Sequence, residues 1–240
     1  MNEKKFESNN KFITKIFSEV PETYEMLNHI LTFGFDILWR KKAVKTARKA
    51  KPGKWVDMCT GTGETAIYLN KITPEGTKVY AVDLTAEMME VARKKRTSAG
   101  IEFVQADVKS LPFEDNTFDL ITISFATRNI NLNKEILIQT FAEFYRVLKP
   151  EGIFVNLETS KPKSKILKLL FDLYIKLFVK FLGSRISGSV QAYNYLSKTI
   201  PKFYSAEDLA AILLEAGFDE VEFEKLIFGI AAIHKSYKKV

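Results

Sequence analysis

Short apolar runs and amphipathic segments alternate along most of the chain. WVDMC at 55–59, TKVYAVDL at 77–84, IEFVQAD at 101–107, FDLITISF at 118–125 and IFVNLET at 153–159 are rich in β-branched and aromatic residues, which predicts buried strands. Between them, ETAIYLNKI, AEMMEVARKKRTSA and EILIQTFAEFYRVL repeat apolar residues at the spacing of a helix face. Lys51-Pro52-Gly53, Pro74-Glu75-Gly76 and Lys149-Pro150-Glu151-Gly152 punctuate the series as turns. This strand-helix rhythm predicts a mostly parallel sheet covered on both faces, with ligands beyond the carboxyl ends of the strands.

Both flanks depart from the rhythm. Phe12 to about Arg48 has helical periodicity, broken near Pro21 and Gly34, and residues 1–50 are expected to form a helical lid. Residues 161–205 have no clear strand and two apolar helical segments, which predicts a cap inserted before the helix AEDLAAILLEAG. DEVEFEKLIF and GIAAIHKSY then bring the strand count to seven within one domain spanning 1–240.

Composition narrows the partners. A chain of 240 residues with 46% apolar content can bury a full core. The single cysteine, Cys59, excludes an internal disulfide framework and a multi-cysteine metal site. No apolar run reaches the roughly 18 residues of a spanning helix, and MNEKKFESNNKF has no signal-like core, so the expected location is cytoplasmic. Much of the net charge of +7 falls in 161–185, where seven basic residues and one acid, Asp172, stand among large apolar side chains. That mixture suits a lipid surface better than nucleic acid. Lys168, Asp172, Lys176 and Lys180, spaced by four, form one polar stripe on a helix. The helix is expected either to pack as an ordinary cap or to meet anionic headgroups at the inner face of a membrane, peripherally.

Chemistry concentrates at DMCTGTGET, residues 57–65. Gly61, Thr62 and Gly63 turn the chain from a strand into a helix, and glycine there permits positive φ and a close ligand approach. GTGETA also satisfies the dinucleotide pattern G-x-G-x-x-A, but Glu64 would repel a pyrophosphate at the helix start. Asp83 at the next strand end can accept from both ribose hydroxyls, and Leu84 follows it. Asp107 can accept from an adenine amino group while the Val108 N–H meets the ring. Acids at three successive strand ends suit a nucleoside with a positively charged amino-acid tail, as in S-adenosylmethionine, whose ammonium Asp57 could attract through water. Each acid alone could equally cap a helix or face solvent.

The stretches VDMCTGTGETA, AVDLTAEMMEVARKK, FVQADVKSLPFEDNTFDLITISFATRNI, FYRVLKPEGIFVNLETSKP, AYNYLSKTI and GIAAIHKSY closely resemble the ubiquinone/menaquinone biosynthesis C-methyltransferases, in family order and over nearly the whole chain. The resemblance implies a class I S-adenosylmethionine-dependent methyltransferase fold, Rossmann-like, with a seven-stranded sheet and helices on both faces. It implies methylation of the ring of a polyprenylated quinol, demethylmenaquinol foremost, a reaction that itself needs no metal. Thr62, Asp83, Asp107, Val108 and Ser124 would be cofactor contacts, with Arg128 and Asn129 near the methyl-transfer centre. Ala126, Glu64, Thr85 and Glu151 depart locally from the family pattern, Glu151 replacing the first glycine of a Pro-Gly-Gly.

Ring methylation needs a phenolic oxygen to lose its proton, so polar groups over the strand ends are the candidates: Arg128 beside the developing oxyanion, Asn129, Tyr193 and Tyr195 against the substrate, and His234 as a base. A methyltransferase for another lipid and a non-catalytic cofactor-binding regulator remain alternatives, and a homodimer is left open.

Overall fold

The structure, a computed structural model, describes residues 12–179 and 190–240. Helices α1 (residues 12–18), α2 (Pro21–Leu31) and α3 (Phe35–Ala47) precede the sheet. Pro21 starts α2, where its missing N–H costs nothing, and Gly34, at φ 75°, makes the corner into α3.

The sheet follows the predicted alternation: β1 (Lys54–Met58), α4 (Glu64–Asn70), β2 (Lys78–Asp83), α5 (Ala86–Lys94), β3 (Ile101–Gln105), β4 (Phe118–Ser124), α6 (Thr127–Ile130), α7 (Lys134–Val147) and β5 (Leu148–Thr159). Beyond it come α8 (Lys165–Tyr174), continued by a π-type turn at Ile175–Val179, then α9 (Val190–Thr199), α10 (Ala206–Glu215), β6 (Glu220–Leu226) and β7 (Ala231–Tyr237). Strand order is β3-β2-β1-β4-β5-β7-β6. Strands β1 to β5 pair in parallel, and β7 lies antiparallel between β5 and β6. This is the Rossmann-like, mostly parallel seven-stranded sheet that the pattern predicts.

Burial on both faces explains why the parallel strands are nearly continuous apolar runs. Val56, Ile121 and Phe154 face α7 and α10, whereas Trp55, Leu120 and Val155 face α3 and α4. A third core, of Ile16, Val20, Leu27, Leu31, Ile175 and Leu196, joins the N-terminal helices to α9 and the turn after α8. The segments read separately as lid and cap therefore share one apolar centre.

Local chemistry sets several boundaries. The Ser205 hydroxyl accepts from the Asp208 N–H over 3.1 Å, and the Asp208 carboxylate accepts in return, a capping box that starts α10. Helix α5 is shorter than its periodicity predicts, because Lys95 is extended and Arg96–Ser98 forms only one tight turn. Strand β5 begins earlier than expected and runs through the Lys-Pro-Glu-Gly sequence, with its register against β4 shifted between Phe118 and Leu120. Glu151 takes φ 63° in that irregularity, a conformation more natural to glycine.

Candidate active site

The carboxyl ends of β1, β2, β3 and β4 surround a cleft of about 890 Å³. The turn after β1 supplies Gly61 and Thr62. Gly61 adopts φ 55°, and its N–H donates to Asp83 Oδ2 over 2.7 Å. Asp83 Oδ1 accepts from the Thr85 N–H over 2.8 Å, so this carboxylate ties two loops together at the cleft wall. Burial raises its pKa, against the lowering effect of those backbone donors. Leu84, Asp107, Val108 and Ser124 also line the cleft. Asp107 Oδ1 accepts from the Lys109 N–H over 3.1 Å.

Asp57 and Gly63 lie outside this wall. Asp57 sits beneath it, fully buried, with Oδ2 accepting from Thr60 Oγ1 and Oδ1 from Thr122 Oγ1, each over 2.7 Å. Burial pushes its pKa up to about 6 despite both hydroxyls, so it serves as an internal brace for the turn. Gly63 is a packing position: a Cβ there would stand 2.9 Å from the Ala92 methyl of α5.

Two non-glycine residues on the cleft wall, Cys59 and Phe125, hold left-handed backbones at φ 52° and 57°. Such conformations in bulky residues are costly and concentrate at functional sites. Burial, reinforced by Asp83, Asp57 and Asp107, raises the Cys59 thiol well above its ordinary pKa. It therefore stays protonated and is a poor nucleophile. The Phe125 N–H donates to the Leu157 carbonyl over 2.7 Å, which fixes the ring at the edge of the cleft.

A second cavity, about 1310 Å³ and mostly apolar, opens between α2, α3, α8 and the turn before β7. Leu167, Phe171, Ile175, Leu196 and Ile230 line it. Tyr24, Arg40 and Phe125 belong to the walls of both cavities and form the partition between them. The Arg40 guanidinium lies 4.9 Å from the Phe125 ring centroid, and its Nη1 donates to Thr65 Oγ1 over 3.0 Å.

The predicted catalytic residues separate. Arg128 is on the wall of the apolar cavity, paired with Glu158, while Asn129 is on the wall of the polar cleft, its Oδ1 buried without a hydrogen-bond partner. Tyr195 packs in the lid core, where burial raises its pKa and Arg128 opposes the shift. Tyr193 is on α9, but its side chain lies outside the described residues. His234 is corrected. It stands in the middle of β7 opposite Asn156, lines neither cavity, and its Nε2 bonds the Ala206 carbonyl over 2.8 Å. Burial lowers its pKa to about 4, so it is a neutral structural histidine rather than a base over the strand ends.

Sequence reasoning missed Arg40, Tyr24 and Phe125, and saw Glu64 only as an obstacle to pyrophosphate. Glu64 opens α4, with Oε1 3.5 Å from His29 Nε2 and Oε2 3.5 Å from Arg40 Nε. His29 Nδ1 bonds Asp36 Oδ2 over 2.8 Å. Glu25, His29 and Glu64 bring three donor atoms within 4.8 Å of one another, but Lys95 pairs with Glu25 and the Arg40 guanidinium stands beside Glu64, so two cations already face the carboxylates.

The cleft wall fits S-adenosylmethionine: Asp83 could accept from a ribose, Asp107 and the Val108 N–H could meet an adenine, and the protonated thiol would not compete for the methyl group. The profile of the ubiE/COQ5 methyltransferase family matches residues 4–238. A demethylmenaquinone methyltransferase of Thermus thermophilus is 39% identical over 91% of this chain and 98% of its own. A ubiquinone/menaquinone biosynthesis C-methyltransferase of Francisella philomiragia is 35% identical over 97% of this chain and 93% of its own. Among solved structures, an S-adenosylmethionine-dependent methyltransferase of Thermotoga maritima, described as a possible histamine N-methyltransferase, superposes with TM-score 0.65 at 21% identity, covering 94% of this chain and 99% of the other. That last likeness concerns the fold alone.

Proposed function

The chain belongs to the ubiE/COQ5 methyltransferase family, and from that premise we propose that it transfers the methyl group of S-adenosylmethionine to a ring carbon of a polyprenylated quinol, demethylmenaquinol foremost. The carrying observation is the partition. A polar cleft with nucleoside-binding chemistry and an apolar cavity suited to a prenylated ring meet at Tyr24, Arg40 and Phe125.

The chemistry follows from that adjacency. Loss of the phenolic proton makes the ring carbon nucleophilic. The new carbon–carbon bond forms as the sulfur–methyl bond breaks, and loss of the ring proton restores aromaticity while the phenolic oxygen takes a proton back. One proton is released for each methyl transferred. Arg128, on the acceptor side, offsets charge on the phenolic oxygen, and the unpartnered Asn129 Oδ1 accepts a hydrogen bond on the cofactor side. Alignment of acceptor and donor supplies much of the remaining rate.

Delivery from a bilayer completes the reading. No helix among the described residues is long and apolar enough to cross a membrane. Phe33 and Leu170 of α8 line the apolar cavity and are 77% and 56% exposed; Phe228, which follows the lining residue Ile227, is 80% exposed, and Ile166 and Leu169 of α8 are exposed as well. Lys165, Lys168 and Lys176 are exposed nearby, each able to contribute up to ~1 kcal/mol at an anionic surface. Peripheral attachment at the inner face of a membrane would place the cavity mouth against the lipid that holds the quinol tail.

Mass spectrometry of products from demethylated quinols differing in nucleus and tail length tests the function. A product gaining one methyl on the ring of a naphthoquinol is the expected result. Methylation confined to a lipid without a quinol ring would overturn it.

A further inference from the structure

The polar cleft has two chemically distinct ends. Asp107 and Lys109 mark one, and Asp83 lies between them and the glycine turn. At the other end, the charges bearing on Glu64 are Arg40, Glu25, His29 and Asp36, all carried by the N-terminal helices. With adenine at Asp107 and ribose at Asp83, the amino-acid tail of the cofactor has to reach this second end. The tail carries a carboxylate and an ammonium, and one cation and one anion in close array would match both groups at once.

Arg40 and Glu64 supply that pair. Arg40 and Lys109 are the two cations among the described lining residues, and Lys109 sits on the adenine side. Arg40 is buried at 7% exposure and held rigidly by Thr65 and the Phe125 ring, yet its Nε has no hydrogen-bond partner. Its separation from Glu64 Oε2, 3.5 Å, is well beyond the ~2.7–2.9 Å of a strong charge-assisted bond. The two ions are thus neighbours without closing on each other. A bound zwitterion would give the Arg40 donor a carboxylate and the Glu64 carboxylate an ammonium.

We propose that Arg40 and Glu64 form the subsite for the zwitterionic tail of S-adenosylmethionine, so that helix α3 of the N-terminal lid is part of the cofactor site. The assignment rests on the cleft being the cofactor site. It also gives Glu64 a purpose: the carboxylate that disfavours a pyrophosphate favours an ammonium. Because Arg40 comes from α3 and Glu64 from α4, the tail bridges lid and sheet. Nucleosides without the tail would occupy the cleft and leave that bridge unmade.

Ligands that differ in the tail provide the test, each compared between variant and parent so that the sulfonium of decarboxylated S-adenosylmethionine cancels. S-adenosylhomocysteine has the whole tail, decarboxylated S-adenosylmethionine keeps the ammonium alone, and 5′-methylthioadenosine has neither group. By calorimetry, Arg40→Met should weaken S-adenosylhomocysteine by about tenfold to a hundredfold while leaving the other two within about twofold. Glu64→Gln should weaken S-adenosylhomocysteine and decarboxylated S-adenosylmethionine but leave 5′-methylthioadenosine alone. Equal losses for all three ligands, or none, would overturn the assignment and leave Arg40 as a structural tie. The parent protein gives a readout independent of variant folding. S-adenosylhomocysteine should slow amide exchange in α2 and α3, and 5′-methylthioadenosine should not; equal protection by both would also overturn it. A parent that bound neither nucleoside would remove the cofactor-site reading itself, and the tail subsite with it.

Discussion

Arg128 Nη1 donates to Glu158 Oε1 across 2.7 Å, and both side chains are buried. Glu158 also accepts from the Arg128 N–H over 3.2 Å and from the Thr159 N–H and hydroxyl over 2.7 and 2.9 Å. The guanidinium is therefore fixed to the end of β5 and largely neutralised before any acceptor arrives. In the proposed reaction it would therefore act through oriented donors more than through free charge.

Arg128→Gln should lower turnover on the order of a hundredfold, the scale of a lost oxyanion donor, and leave S-adenosylhomocysteine affinity unchanged because Arg128 is not on the cleft wall. Parallel measurement of kcat and calorimetric affinity checks this, and equal losses in both would contradict it. Glu158→Ala should instead cost roughly 3–5 kcal/mol of stability in urea unfolding, since it strands a buried cation.

Asp83→Asn separates ligand binding from loop structure. The substitution should weaken S-adenosylhomocysteine by roughly 1.5–3 kcal/mol, and it also places an amide donor against a backbone N–H from Gly61 or Thr85. A drop in melting temperature should accompany the affinity loss. Unchanged affinity would make Asp83 a structural residue only.

Two buried groups give opposite pH slopes. Asp57 has its pKa pushed from 3.8 up to about 6, so the folded protein keeps a proton that the unfolded chain releases. Stability present below its unfolded pKa is lost as pH rises through about 6, by about 3 kcal/mol. His234 has its pKa lowered from 6.5 to about 4, so its contribution is present above about pH 6.5 and is lost as pH falls through about 4, by a similar amount. The two nearly cancel in the parent. Asp57→Asn removes one slope, so stability of that variant should rise relative to the parent from about pH 4 to 6.5 in urea titrations; parallel curves would show that burial of Asp57 does not set its proton affinity.

Membrane attachment is testable with vesicles. Phe33→Ser with Phe228→Ser should reduce sedimentation with both neutral and anionic vesicles, because these side chains are exposed apolar tips. Lys168→Glu with Lys176→Glu should reduce only the salt-sensitive binding to anionic vesicles. Undiminished activity on vesicle-embedded quinol, with no sedimentation of the parent, would leave α8 as a plain cover.

The sheet was legible because its strands are uniformly apolar and its turns carry glycine and proline, both local signals. That Asp83 and Asp107 line the cleft was legible for the same reason, since one closes β2 and the other follows β3 by two residues. The position of β7 was not, since strand order depends on pairings between residues far apart in the chain. His234 misled because its partner, the Ala206 carbonyl, comes from a helix 28 residues earlier. Arg40 was invisible among Lys41, Lys42 and Lys45, which make α3 look like a solvent-facing helix. Only the packing of α3 over the sheet turns that one cation inward.

The placement of β7 also orders events during synthesis. Strands β1 to β5 can pair as soon as they have emerged, whereas β6 touches the sheet only through β7, which follows it in the chain. Until residues 231–237 arrive, the nascent chain carries an open β5 edge, with unpaired N–H and C=O groups that could template wrong pairing. Chains released before that point should therefore be more prone to aggregate than chains lacking the same number of residues from the N-terminal helices.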